Sequence, residues 1–171
     1  DFLALCVTRF AALEHELNQL DAATGDGDHG ATMLKGLRAA ATADGGYEKA
    51  FRKAAGGASG SLFAQVIAAL GKVVEGAPIG AALDDAARKI AMLGQAKPGD
   101  KTMLDALIPA AKALAERDAA QAAADGRDAT RDMAAKRGRA KYVEGAGVGH
   151  VDAGATSVAE LLGLFAEWRS Q

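Results

Sequence analysis

An all-α fold, an antiparallel barrel or bundle of about eight amphipathic helices, is what this sequence predicts, and three observations predict it. Alanine, the strongest helix former, supplies about a quarter of the 171 residues. Aromatic residues make up only 5%, and no run of β-branched or aromatic residues reads as a strand. Apolar residues instead recur at helical spacing along the whole chain.

In the first segment Phe2, Leu5, Cys6, Phe10, Leu13 and Leu17 share one face, and the helix is expected to end near Leu20. A second apolar-faced segment spans 30–42, and Asp44-Gly45-Gly46 separates it from a short third one at 47–55. The fourth, 60–75, follows a Gly/Ser run and stops at Gly76-Ala77-Pro78. The fifth, 79–93, ends before Lys97-Pro98-Gly99-Asp100; the sixth and seventh cover 101–116 and 118–136. The glycine-rich stretch from Gly145 to Gly154 precedes the last, 155–169. Short connections make sequence neighbours antiparallel. No repeat or long linker divides the chain, so 1–171 is read as one domain.

Composition narrows the classes of function. With 50% hydrophobic and 25% charged residues and a mean hydropathy of +0.01, the chain is not disordered or fibrous. Charged residues or glycines interrupt every apolar stretch, so no membrane span is expected. The opening Asp1-Phe2-Leu3-Ala4-Leu5-Cys6 carries no basic region, so no signal peptide is expected, although a start without methionine leaves a cut-down longer chain open. The single Cys6 excludes an internal disulfide and fits a reducing cytoplasm. A net charge of −2 and a pI near 5.9 provide no bulk attraction to nucleic acid or anionic lipid.

Chemistry is therefore sought in the loops. Gly25, Gly27 and Gly30 satisfy a dinucleotide-type G-x-G-x-x-G, but they follow a helix rather than a strand, and two carboxylates between them would repel a bare pyrophosphate. A hard cation explains those carboxylates better. Asp21, Asp26 and Asp28 are candidate Mg2+ ligands, because that ion takes a few carboxylates together with water and phosphate oxygens. No closing Glu follows, which excludes an EF-hand. The helix opening at Gly30 to Thr32 would offer free amides to an anion. The plain alternative is an Asp/Gly turn between helices.

Three further segments are candidates. Ala55-Gly56-Gly57-Ala58-Ser59-Gly60-Ser61 is a glycine-rich run before an apolar helix; it suits phosphate oxygens or, equally, a capped helix start, and it lacks the lysine of a P-loop. Gly94 to Asp105 contains Asp100, which reads as a helix cap, and Met103, which reads as core. Lys136 to Tyr142 is basic, with Arg139 able to fork onto phosphate oxygens, and it is followed by a His150/Asp152/Gly154 loop. Scarce aromatics and the acidic pI argue against nucleic acid.

In combination, GDGDHG, GGASG, PGDKTMLDAL and KRGRA…GHVDAGATS resemble the nucleotide-binding L subunit or domain of dihydroxyacetone kinases, the DhaL family, from Leu20 to Ser157. The resemblance implies a barrel of eight helices whose loops at one end bind ADP or ATP. It implies that Asp21, Asp26 and Asp28 hold two Mg2+ ions, and that His29, Gly30, Thr32, Ala58 and Ser59 face the phosphates. Gly94, Thr102 and Met103 would surround the adenine, with Arg139, Asp152, Ala153 and Gly154 as further nucleotide contacts. The family often has Asn at the place of Thr32 and Pro at the place of Ala153, and the stretches before GGASG and between Leu114 and Arg127 are short for it.

The implied reaction is phosphoryl transfer, with no covalent intermediate on this chain, to a small ketose. A partner K subunit or domain holds that ketose, so a homodimer or heteromer is expected and turnover needs the partner. The donor is either ATP or a phosphotransferase-system M subunit. Three rivals are a diphosphate enzyme of the all-α isoprenoid type, a non-catalytic Mg-nucleotide regulatory module and a plain helical scaffold. The first would need a fuller second acidic cluster than Asp84-Asp85.

Overall fold

The computed structural model describes residues 1–137, 142 and 144–171. Among them there are eight α-helices and no strand: α1 Phe2–Ala22, α2 His29–Thr42, α3 Tyr47–Ala55, α4 Gly57–Val74, α5 Ile79–Gly94, α6 Leu104–Ala111, α7 Glu116–Ala129 and α8 Ala153–Arg169. Short 3-10 turns lie at Thr130–Asp132 and Glu144–Gly147. Each helix packs on the next and α8 returns to α1, so the predicted antiparallel ring closes. Of the predicted stripe of α1, Cys6, Phe10, Leu13 and Leu17 face inward, Phe2 is partly buried against the core and Leu5 is exposed. Phe51 of α3, Leu83 and Ile90 of α5, Leu107 of α6 and Phe165 of α8 complete the same core.

α4 is long and apolar enough, by length and composition, to cross a membrane. Here it is a core helix, with Phe63, Val66, Ile67, Leu70 and Val73 buried. Its glycines and two serines at the start interrupt hydropathy without interrupting the helix.

Four boundaries differ by three residues or more from the sequence reading; α6 stops at Ala111 rather than 116, and the other three have a local reason. α4 starts at Gly57, so most of the glycine-rich run is its first turn rather than a loop. α6 starts three residues later than expected, because Lys101 takes a left-handed φ of 62° that no helix accommodates. α7 ends at Ala129 instead of running to 136; the chain there turns to spend its carbonyls on tertiary partners described below. At the far end, Phe2 meets the Phe165 ring edge-on at 5.3 Å, and Arg169 bonds Glu116 at 3.0 Å, joining the end of α8 to the start of α7.

Candidate functional site

Antiparallel alternation brings every candidate segment to one end of the ring: the turn after α1, the start of α4, the connection from α5 to α6, and the segment leading into α8. Asp21, in the last turn of α1, organises the first of these. Its Oδ2 accepts the backbone N–H groups of Asp28 (2.9 Å) and His29 (3.0 Å), which ties the end of α1 to the start of α2. Asp26 and Asp28 are exposed on the intervening turn. The structure places Asp21 at the end of α1 and Asp26 and Asp28 on the turn that follows, but among the described residues no trio of His, Cys, Asp or Glu is gathered closely enough to hold a metal. The chemistry of the donor set is nevertheless that of Mg2+, which takes a few carboxylates together with water and phosphate oxygens.

The start of α2 differs from what the sequence suggests. Its amides are largely spent: His29 N–H on Asp21, Ala31 N–H on Asn18 Oδ1 (3.1 Å) and Thr32 N–H on the Asp28 carbonyl (2.9 Å). The His29 side chain turns inward, 2.8 Å from Ser157 Oγ and 5.6 Å from the Phe63 ring centroid, and burial pushes its pKa down to about 4 against the pull of Asp21. Gly30 is explained by packing: a methyl group there would lie 2.2 Å from the Glu14 carbonyl oxygen of α1. Gly30→Ala is accordingly expected to force α1 and α2 apart and to lower stability by about 1–3 kcal/mol, read as a drop in urea midpoint. An unchanged midpoint would rule out this packing role.

The free helix start is that of α4. Its N-cap, Gly56, has no side chain and no capping bond forms. The first intrahelical bond runs from Gly60 N–H to the Gly56 carbonyl (2.9 Å), which leaves the amides of Gly57, Ala58 and Ser59 without an intrahelical partner. Gly57 and Ala58 are exposed and Ser59 is half-buried, so these amides and the positive end of the helix dipole face outward.

Gly94 ends α5 beside Leu62 of α4, and Met103 is buried against Gly154 at the start of α8. The loop between them is held by a residue the sequence reading passed over. Asp105 accepts Gly99 N–H on Oδ1 (2.6 Å) and Thr102 N–H on Oδ2 (2.9 Å). Asp100 does not cap α6. Its carboxylate accepts Lys97 N–H (3.1 Å) and Arg137 Nε (3.2 Å); burial opposes ionisation there, and those two partners hold its pKa below the usual carboxylate range. Asp152 caps α8, accepting Ala155 N–H at 2.8 Å, and burial with the neighbouring Asp105 and Asp21 charges lifts its pKa to about 6. Ala153 is buried directly behind it. Carboxylate charge thus accumulates at this end, as a cation site requires. Arg139 lies outside the described residues.

Lys101 is the second residue passed over. It is 3% exposed, and its ammonium donates to the carbonyls of Thr130 (2.8 Å), Gly147 (2.8 Å), Met133 (3.1 Å) and His150. Its place between Asp100 and Thr102 gives no periodic signal of burial.

Comparison with known proteins identifies the family and the fold. The DAK2 domain family matches residues 23–167. A D-erythrulose kinase of Mycolicibacterium smegmatis is 38% identical over 181 residues, covering 87% of this chain and 31% of that protein. The ADP-binding subunit DhaL of PEP-dependent dihydroxyacetone kinase 1 from Listeria innocua is 33% identical, covering 85% of this chain and 82% of that subunit. The crystal structure of the dihydroxyacetone kinase from C. freundii in complex with AMP-PNP and Mg2+ superposes with a TM-score of 0.73 at 28% identity, over 98% of this chain and 33% of that one. The chain thus spans about a third of the length of the erythrulose kinase and of the C. freundii enzyme.

Proposed function

The chain belongs to the DAK2 domain family, and from that premise we propose that residues 1–171 form the nucleotide-binding domain of a dihydroxyacetone-kinase-type phosphotransferase. The observation that carries the reading is the convergence of four loop segments on one end of the ring, with the uncapped start of α4 facing outward among them. The amides of Gly57, Ala58 and Ser59 would bind phosphate oxygens. Asp21, Asp26 and Asp28 would hold two Mg2+ ions, which when bound neutralise charge on the phosphate oxygens. Gly94, Thr102 and Met103, with Gly154 beside Met103, would line the base, and Asp152, Ala153 and Arg139 would complete the nucleotide contacts. His29 and Thr32, whose amides are bound within the protein, would act behind the phosphates by fixing α2, and Gly30 would face them.

This chain supplies position and electrostatics, not a nucleophile. Cys6 is buried in α1, with its thiol pushed up to about 12 by burial. The ketose would be held by a K subunit or domain, so transfer would take place in a heteromer or in a longer fused chain, in the cytoplasm. The donor would be ATP or a phosphotransferase-system M subunit. The M. smegmatis relative favours erythrulose as a second reading of the ketose. A non-catalytic Mg-nucleotide regulatory module is the remaining alternative; it would bind nucleotide and yield no phosphorylated sugar when a K partner is added.

Calorimetric titration of ADP into chelator-stripped protein tests the proposal. Heat of binding is expected with Mg2+ and not without it. No binding in either condition, by a protein whose helical content is intact, would overturn it.

A further inference from the structure

We infer that Lys101 is the positioning residue of the nucleotide end, an internal cation that gathers the segment before α8 as a bound metal ion would. The inference deepens the nucleotide-binding reading above and rests on it for its functional half. An ammonium group has three donors and no acceptor. Four backbone carbonyls surround this one, from Thr130 and Met133 on one stretch and from Gly147 and His150 on another. The carbonyl of Thr130 also lies just beyond the negative end of α7. Removing the charge takes one donor from each of these oxygens, of which Thr130 and Gly147 also accept the Met133 and His150 N–H groups (both 3.1 Å), and a buried polar group short of a partner is costly. The main chain accepts an unfavourable left-handed φ of 62° at Lys101, a non-glycine residue, to deliver the side chain there.

The two gathered stretches are also bonded to each other. Ala135 N–H donates to the Ala146 carbonyl (2.8 Å) and Gly149 N–H to the Arg131 carbonyl (2.7 Å). One side of the cage touches a candidate site residue and the other touches the acidic turn. Asp152 N–H donates to Thr130 Oγ1 (2.8 Å), so the cap of α8 hangs on the same turn whose carbonyl Lys101 binds. Gly147 lies so close to the acidic turn that a methyl group on it would come within 2.3 Å of Thr24 Cγ2. Lys101 therefore fixes Asp152 relative to the Asp21–Asp28 turn without contacting the nucleotide itself.

Lys101→Met keeps the length of the side chain and removes its charge. Amide exchange at Ala135, Gly149 and Asp152 is expected to accelerate about 100-fold, while α1 and α4 amides keep their protection, and the Kd for ADP with Mg2+ is expected to rise at least about tenfold. Gly147→Ala, which drives the same carbonyl off the cage from the other side, is expected to reproduce both changes and decides the matter if Lys101→Met does not fold. Wild-type exchange rates at the three amides in a folded variant would overturn the clamp. Faster exchange with unchanged affinity would overturn its role in positioning. Failure of the wild-type chain to bind ADP would instead strike the nucleotide reading, with the exchange arm still testing the clamp.

Discussion

Replacing Asp26 by Ala is expected to abolish Mg2+-dependent ADP binding, a loss of about 100-fold or more, while leaving helical content unchanged. Asp26 is exposed on the turn between α1 and α2, which Asp21 braces by accepting the Asp28 and His29 amides. Removing the Asp26 carboxylate takes away a hard oxygen donor and keeps both Asp21 bonds that join α1 to α2. Asp21→Ala makes the contrast. It deletes a proposed metal ligand and also leaves two amides without their acceptor, so it should lose binding and cost about 1–3 kcal/mol of stability as well. Calorimetry and urea melts on the two variants separate ligand from scaffold. Wild-type affinity in Asp26→Ala would end the assignment of this turn as a metal site.

The contrast between these two aspartates shows what the sequence could and could not convey. Helices α1, α2, α3 and α5 are legible almost to the residue, because their stripes of apolar side chains report burial directly, as Phe10, Leu13 and Leu17 do in α1. The candidate segments are legible as unusual clusters of Asp and Gly. What is not legible is which backbone groups those residues serve. Glycines at 56–57 read as loop, yet Gly57 opens α4, because a helix start needs only that its first amides face something other than the helix itself. Asp105 sits in an apolar helix pattern and looks like an ordinary first-turn acid, yet it orders the six residues before it through Gly99 and Thr102. Lys101 is the extreme case. Its acceptors lie between 29 and 49 residues away in the chain, and no local periodicity encodes a partnership of that range.

A pH series on the metal-free protein is expected to divide His29 from Asp152, whose titrations oppose each other over the same window. Burial lowers the His29 pKa from 6.5 to about 4, the Asp21 charge pulling the other way. Between those values the unfolded chain binds a proton that the folded chain refuses, so this group's contribution is intact above pH 6.5 and is lost as pH falls towards 4. At about 1.4 kcal/mol per pH unit the full loss is about 3 kcal/mol. Asp152 runs the other way. Burial lifts it from 3.8 to about 6, so its cost is fully present above pH 6 and is relieved as pH falls to 3.8. The two nearly cancel in the wild type. Relative to it, His29→Gln should gain about 3 kcal/mol between pH 7 and 4, and Asp152→Asn should lose a similar amount over that range. Because each comparison is the pH dependence of a difference, loss of the Ser157 contact in one variant or the Ala155 cap in the other shifts the curve without tilting it. Parallel urea-midpoint profiles for His29→Gln and the wild type would show that His29 titrates as an exposed imidazole, and the inward-turned ring against Phe63 could not then be the folded state.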